Sequence, residues 1–345
     1  MNLKLFFLLL STIPLVGEAS ESVATIEVSG SSKSTDLNIY EGKKVSRTQL
    51  NSLPPVPVDS TRQVFVKTPG LHTPEQTTEP WMIMNYRGLG TPQEAQGLLI
   101  LQDGLPVTLD MYGSPEHYYA PPSPLMESVE VIAGGSALLY GPTPLGTVNY
   151  LTPALSPDMP LTGRLNVTGG SYNLFSTVNT LSGSTGRLSY HLGYHRKQGD
   201  GFQRTNADFV ADNIQGKFHY FLDHNLILKS SFSAHESDYG MPGGMALNKA
   251  TGFNTWGDDN RKATRPYNRL RLGRIQLMVG AEKKLSAQSE VDVQLWANAY
   301  RKYNKTQLGS GFGKFPTSQN NTINTTQAYS FNGQIKYKRN YGPHS

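Results

Sequence analysis

Beyond Leu161 the chain alternates between apolar and polar residues almost one for one. Leu188, Tyr190, Leu192 and Tyr194 interleave with Ser189, His191, Gly193 and His195. Ile214, Phe218, Tyr220 and Leu222 are set against Asn213, Gln215, Lys217 and His219. The pattern returns with Leu226, Leu228 and Phe232, with Val291, Val293, Leu295, Ala297 and Ala299, and with Tyr329, Phe331, Ile335 and Tyr337. A period of two is that of a strand with one apolar face, and it predicts about eight strands of ~10 residues between Leu161 and the C-terminus. Short joins such as Leu222-Asp223-His224-Asn225 and one long loop from Tyr239 to about Asn268 fall on opposite ends, which is the outer-membrane pattern. A soluble sandwich also alternates, but does not need aromatics capping one face of so many strands.

Residues 41–152 have a different texture, that of a compact mixed α/β segment. Ser46-Arg47-Thr48-Gln49-Leu50 offers an N-cap and predicts a helix start, broken by Leu53-Pro54-Pro55-Val56-Pro57. Gly97 to Val107 reads as strand, turn and return strand, because Asp103-Gly104 supplies the positive φ of a tight hairpin. Ser128-Val129-Glu130-Val131-Ile132 and Gly146-Thr147-Val148-Asn149-Tyr150-Leu151 are further strands. Residues 153–160 hold three prolines and read as a linker into the alternating part, 161–345.

At the other end, Lys4 precedes a run from Leu5 to Val16 that is too short to span a membrane. With small residues at Gly17 and Ala19, residues 1–19 read as a secretory signal peptide. The stretch 20–40 is polar and flexible apart from one β-prone island, Ala24-Thr25-Ile26-Glu27-Val28-Ser29. Such an island either belongs to a disordered tail or adds as a strand to the edge of another sheet.

Composition narrows the picture. The 345 residues carry Lys+Arg 31 against Asp+Glu 26, a net +5 that is too dilute for nucleic-acid binding. Zero cysteines exclude disulfides, thiolate metal sites and a lipid-anchoring cysteine. Gly134-Gly135-Ser136 lacks the second glycine of a nucleophile elbow and the Lys of a phosphate loop. No catalytic residue and no resident metal or cofactor are expected, so the chain does not read as an enzyme. His191, His195, His219 and His235 share one face and are expected to line a wet lumen. Met241 and Met245 beside His235 are the residues a soft metal would use. Arg261, Lys262, Arg265, Arg269, Arg271 and Arg274 concentrate charge near the end of the long loop, as an anion-attracting funnel or as a patch for lipopolysaccharide phosphates.

Several segments together carry a resemblance. Asn85-Tyr86-Arg87-Gly88-Leu89, Leu98 to Pro106, Met126 to Val131, Gly134 to Pro142 and Gly146 to Tyr150 resemble the plug of TonB-dependent outer-membrane receptors. Tyr112-Gly113-Ser114-Pro115 and Met241-Pro242-Gly243-Gly244 are most similar to the ferric citrate branch. The resemblance implies an N-terminal mixed plug domain (41–152), followed by the first about eight antiparallel strands of a 22-stranded β-barrel in the outer membrane of a Gram-negative bacterium. It implies import of a ferric chelate, ferric citrate first, transported rather than held as a cofactor, with TonB, ExbB and ExbD as energy-supplying partners and outer-membrane lipid and lipopolysaccharide as surroundings. The alternatives are uptake of another siderophore, cobalamin or a nickel or copper complex, or a truncated receptor fragment without function. Thr25, Ile26, Glu27 and Val28 then resemble the TonB box. Gln93 and Tyr112 in apical plug loops, with Arg261, Lys262 and Arg265 above, fall where such receptors bind ligand, and Arg offers the fork that carboxylates fit. The run Met82-Ile83-Met84-Asn85 is bulkier than usual in the family, so a different first apical loop is expected. With no domain between Ala19 and the box, transcription signalling is not expected, and an end at Ser345 suggests an N-terminal fragment of a longer receptor.

Overall fold

The computed structural model describes residues 26–29, 44–55, 59–66, 68–73, 84–86, 98–107, 119–133, 140, 145–201, 205–243, 263, 265–307 and 321–339. Two sheets dominate. The first has six strands: β1 (Ile26–Ser29), β2 (Lys44–Gln49), β5 (Leu98–Gln102), β6 (Leu105–Pro106), β7 (Ser128–Ala133) and β8 (Gly146–Leu151), in the order β1-β2-β7-β8-β5-β6. Only β5 and β8 run parallel; the other pairs are antiparallel. A two-residue ladder of β3 (Leu71–His72) and β4 (Asn85–Tyr86), a helical turn α1 (Thr61–Val64) and a 3-10 turn at Ser123–Leu125 complete this domain.

Residues 44–49 form a strand, not the expected helix. The capping signal at Ser46 is local, whereas the paired edge of β7 is long-range and stronger: all six residues of β2 pair with β7. Arg47 also donates from Nε to the Ser128 hydroxyl at 3.2 Å and lies 3.9 Å from Glu130. At the β5–β6 turn, Asp103 (φ 49°) and Gly104 (φ 78°) adopt the left-handed backbone expected of the Asp-Gly pair. Both Asp103 carboxylate oxygens are used at once, accepting from the Thr152 amide (3.0 Å) and hydroxyl (2.6 Å), and so tie the hairpin to the end of β8. The domain core gathers Leu50, Val64, Phe65, Met84, Leu98, Ile100, Val129, Val131, Val148 and Tyr150. Phe65 meets Tyr150 edge-on at 6.2 Å between ring centres.

The second sheet is an antiparallel meander of eight strands: β9 (Thr162–Gly170), β10 (Leu174–Thr185), β11 (Leu188–Gly199), β12 (Phe209–Phe221), β13 (Leu226–Gly240), β14 (Arg269–Ser286), β15 (Ser289–Gln307) and β16 (Asn321–Arg339). Alternation fixes its faces. On β14, Leu270, Leu272, Arg274, Gln276 and Met278 are buried, while Ile275, Leu277 and Val279 are exposed by half or more. On β15, Asp292, Gln294 and Asn298 are buried while Leu295 is 58% exposed. One face is therefore apolar and bare and the other polar and covered, the arrangement of a membrane β-wall rather than of a soluble sandwich. Short turns at 186–187, 222–225 and 287–288 close one end; the strand ends at Gly240, Arg269, Gln307 and Asn321 lie at the other. No helix among the described residues is long and apolar enough to cross a membrane.

Candidate functional site

The covered face of the wall is occupied by the first domain, and the wall holds it largely by main-chain carbonyls. Arg274 Nε donates to the Val107 carbonyl at 2.7 Å and Gln276 Nε2 to that of Pro106 at 3.0 Å. Gln215 Nε2 reaches the Leu125 carbonyl at 3.1 Å, and Arg164 donates to that of Pro124. Gln215 also accepts from Gln102 Nε2 at 3.1 Å. Lys217 stands 3.6 Å from the Asp103 carboxylate and donates to the Thr152 hydroxyl at 3.0 Å, so the hairpin turn is gripped by charge as well. Tyr119 is sandwiched, with the Arg274 guanidinium 4.6 Å from its ring centre and the His235 ring at 4.9 Å. Burial pushes the Tyr119 hydroxyl above its ordinary value, against the pull of Arg274. A cavity of ≈ 20 Å³ remains beside Gln102, Asp103, His191 and Lys217, room for about one water.

A second grip runs through the histidines. Asp59, just ahead of α1, lies 2.9 Å from His195 Nε2. A carboxylate only accepts, so Nε2 carries the proton and Nδ1 accepts from Asn213 Nδ2 at 3.5 Å. Asn213 Oδ1 then receives the Nδ1 proton of His235 at 2.8 Å, and His235 Nε2 accepts from Ser237 at 3.0 Å. Lys197 adds a bond to the Asp59 carbonyl at 3.0 Å. These histidines do not line an open wet lumen as expected: His191, His195 and His235 are 3%, 5% and 7% exposed, because the first domain fills the space they face. With both nitrogens engaged, His235 has no free donor for a metal. Met241 packs instead against Tyr239 and Leu270, Met245 lies outside the described residues, and among those residues no cluster of His, Asp and Glu suits a metal.

Burial works to raise the Asp59 carboxyl, but the His195 hydrogen bond and the Lys197 charge outweigh it and hold the group below its usual range. A carboxyl with a folded value below its unfolded one stabilises above the unfolded value and loses that contribution as pH falls through the folded one. The Asp59 grip is thus expected to persist at neutral pH and to weaken below about pH 4. Asp59→Asn should flatten this part of the profile. Melting of the full-length protein between about pH 3 and about pH 7 checks it; a wild-type acid limb no steeper than the variant's rejects the assignment.

The long-loop end is knotted rather than open. Arg269 makes a fork to Asp208 (3.1 and 2.8 Å) and a bond to Asp238 (2.9 Å). Asn206 Nδ2 holds the Arg265 and Asn268 carbonyls, each at 2.8 Å. Gly240 permits this approach, since a Cβ there would stand 2.2 Å from the Asn206 carbonyl oxygen. The basic cluster therefore divides three ways: Arg274 turns inward to the plug, Arg269 and Arg271 are ion-paired on the outer face, and Arg265 is fixed by its main chain, its amide donating to the Pro242 carbonyl at 3.0 Å. Among the described residues the Arg265 Nε is buried without a partner. Gln93, Tyr112, Arg261 and Lys262 lie outside the described residues, as do Thr25, the first nineteen residues and Gly134, Gly135 and Gly141. Of the expected TonB box, Ile26, Glu27 and Val28 lie in β1, on the edge of the six-stranded sheet beside Thr48, Arg47 and Ser46. Sequence reasoning passed over Asp59, Gln215, Lys217 and Gln276; the inward parity that the last three share with Asn213 and Arg274 was the available signal.

A folded domain seated on the polar inner face of an apolar-faced meander defines a plugged β-barrel wall. Residues 42–148 match the family described as TonB-dependent Receptor Plug Domain. Among solved structures, the ferric citrate transporter FecA in its unliganded form superposes with a TM-score of 0.67 at 21% identity, over 94% of this chain and 45% of that one. The copper transporter OprC gives 0.64 at 15%, over 91% and 44%, and the ferric-catecholate import receptor Fiu from E. coli K12 gives 0.64 at 13%, over 88% and 47%. The chain thus has the fold of these plugged barrels and spans less than half the length of each.

Proposed function

We propose that this chain is the plug and first wall of a TonB-dependent outer-membrane receptor, a transporter and not an enzyme, that imports a ferric chelate, with a citrate-like anion as ligand. The observation that carries the reading is a plug-family domain seated on the polar face of a membrane wall. A wide barrel needs such a stopper, and a stopper needs an energy source to move it. TonB, supplied by ExbB and ExbD, fits as that source because β1 is an extended edge strand of the kind that strand addition uses.

The citrate assignment rests on narrower ground: Tyr112-Gly113-Ser114-Pro115, the basic loop with Arg265, and the likeness to a ferric citrate transporter. The named neighbours carry different cargoes, so cargo has to be measured. A strain lacking other iron routes, supplied with the full-length receptor, is expected to grow on ferric citrate; growth only on another chelate refutes the citrate reading and leaves the receptor reading standing. Gln93 and Tyr112 would orient the anion from below while Arg261, Lys262 and Arg265 neutralise it. Arg265→Ala is expected to weaken ferric citrate binding by about 1.5–3 kcal/mol, the worth of one hydrogen bond to a charged group. Calorimetry that finds an unchanged dissociation constant removes Arg265 from the site.

A further inference from the structure

The register of the wall groups outward-facing residues into rows that run across the strands. One row reads Tyr194, Ile214, Ala234, Ile275, Ala299 and Tyr329; toward the short turns the following rows carry Leu277, Ala297 and Phe331, then Val279 and Leu295, then Val293 and Ile335. From Ala299 to Val291 this apolar band runs eight residues along β15, about 27 Å of strand at ~3.4 Å per residue. At a tilt near 40° that is about 21 Å of height, close to the ~25 Å apolar band of an outer-membrane barrel.

The next row toward the long connections changes abruptly. It holds Arg196, Asp212, Glu236, Gly273 and Arg301, and the row beyond holds Asp238, Arg271 and Tyr303. On β11 and β12 the charges cancel, since Arg196 Nη1 donates to both Asp212 carboxylate oxygens (3.0 and 2.8 Å). On β14 and β15 they do not. The Arg271 guanidinium lies 5.7 Å from the Tyr303 ring centre; its Nε bonds Asp238 at 2.7 Å and its side chain is still 61% exposed. Asp238 is already shared with Arg269. Arg301 is exposed and leans toward Gly273, its Nε 4.0 Å from where a Cβ would stand. Among the described residues neither Arg301 nor Lys305 has an ion-pair partner. Glu236, the nearest uncommitted acid on this row, is two strands from Arg301, about 9.5 Å in the sheet plane.

We propose that Arg271, Arg301 and Lys305, set around Tyr303 at the rim of the apolar band, form a headgroup site for the phosphorylated glycolipid of the outer leaflet. This rests on reading the wall as an outer-membrane barrel. Two independent features converge on it. The cations occupy the first three rows above the apolar band, Arg301 lowest, then Arg271, then Lys305, where a headgroup phosphate lies while its acyl chains run down Ile275, Leu277 and Val279. The end is also the correct one, since short turns face the periplasm in such barrels and the cations are on the side of the long connections. An unpaired arginine matches a phosphate with two parallel N–H bonds.

The test uses the full-length receptor, extracted from outer membranes and delipidated in detergent, titrated with bisphosphorylated lipid A, with its dephosphorylated form and with inorganic phosphate, and read by native mass spectrometry. Failure to fractionate with outer membranes rejects the barrel reading itself, before any titration. The R271Q/R301Q/K305Q variant is expected to lose at least tenfold in apparent affinity for bisphosphorylated lipid A and nothing for the dephosphorylated lipid, while ferric chelate binding is unchanged. Should the triple variant not assemble, R301Q alone carries the test, because its side chain has no protein partner to lose, with R301K restoring part of the binding. Equal retention by wild type and variant, or equal loss for both lipids, overturns the site. So does saturation by inorganic phosphate at the same concentration as the lipid, which assigns the residues to a free anion.

Discussion

Proline at position 26 is expected to abolish uptake by the full-length receptor while leaving ligand affinity intact. Ile26 opens β1, where it faces Thr48 across an antiparallel ladder. Among the described residues β1 is the edge of its sheet, with no strand on its outer side, the position a further strand would take. Proline removes a backbone donor and fixes φ near −65°, which disfavours strand pairing on either side. Ile26→Val keeps the extended preference and is expected to transport normally. The loss should be complete rather than partial, because traction through a strand requires the strand. Uptake assays with radiolabelled ferric chelate, beside binding measured on the same membranes, separate the two steps. Wild-type uptake by the proline variant refutes this segment as the coupling strand.

Arg274→Ala is expected to cost the seated plug about 3 kcal/mol, more than any other single change in the wall. The guanidinium bonds the Val107 carbonyl at 2.7 Å and Ser233 Oγ at 2.9 Å, and covers the Tyr119 ring. A hydrogen bond to a charged group is worth ~1.5–3 kcal/mol, and a desolvated cation–π contact up to ~2. Against these stands a buried cation with Nη2 lacking a partner, which leaves part of its desolvation uncompensated. Arg274→Met, which refills the space without charge, is therefore expected to lose less than alanine. Differential scanning calorimetry of the full-length receptor, with leakage of a large antibiotic as the physiological readout, decides the order. A methionine variant as unstable as the alanine one would show that the charge, not the volume, holds the plug.

The wall was legible in the sequence because its code is local: Tyr190, Leu192 and Tyr194 show one face and His191, Gly193 and His195 the other, without reference to anything distant. What lies against the second face was not legible. Polar residues at His191 and His195 are equally compatible with water and with a plug, and the choice depends on Asp59, 136 positions away from His195. The same holds for Ser46–Leu50, where a helix-start signal met a waiting β7 edge and lost. Arg271 and Arg274 look alike in a list of basic residues, yet opposite parity sends one to the outer rim and the other under Tyr119. The assignment of Gln93, Tyr112, Arg261 and Lys262 to a ligand site is a proposal that depends on residue types alone, since loop geometry follows from contacts that no period encodes.

Holding a domain by its carbonyl oxygens has an evolutionary corollary. Every residue type at positions 106, 107, 124 and 125 presents that acceptor, so the seat places little demand on what the plug displays there. As acceptors those four positions are comparatively unconstrained, and there the burden of recognition falls on Arg164, Gln215, Arg274 and Gln276, whereas Asp59, Asp103 and Tyr119 meet the wall through their side chains. In a set of diverging homologues, drift should concentrate at positions 106, 107, 124 and 125 and be slow at Asp59, Asp103, Tyr119 and the wall residues that hold them. A plug transplanted from a distant homologue should settle on this wall as long as its backbone follows the same path and it keeps the side chains at positions 59, 103 and 119.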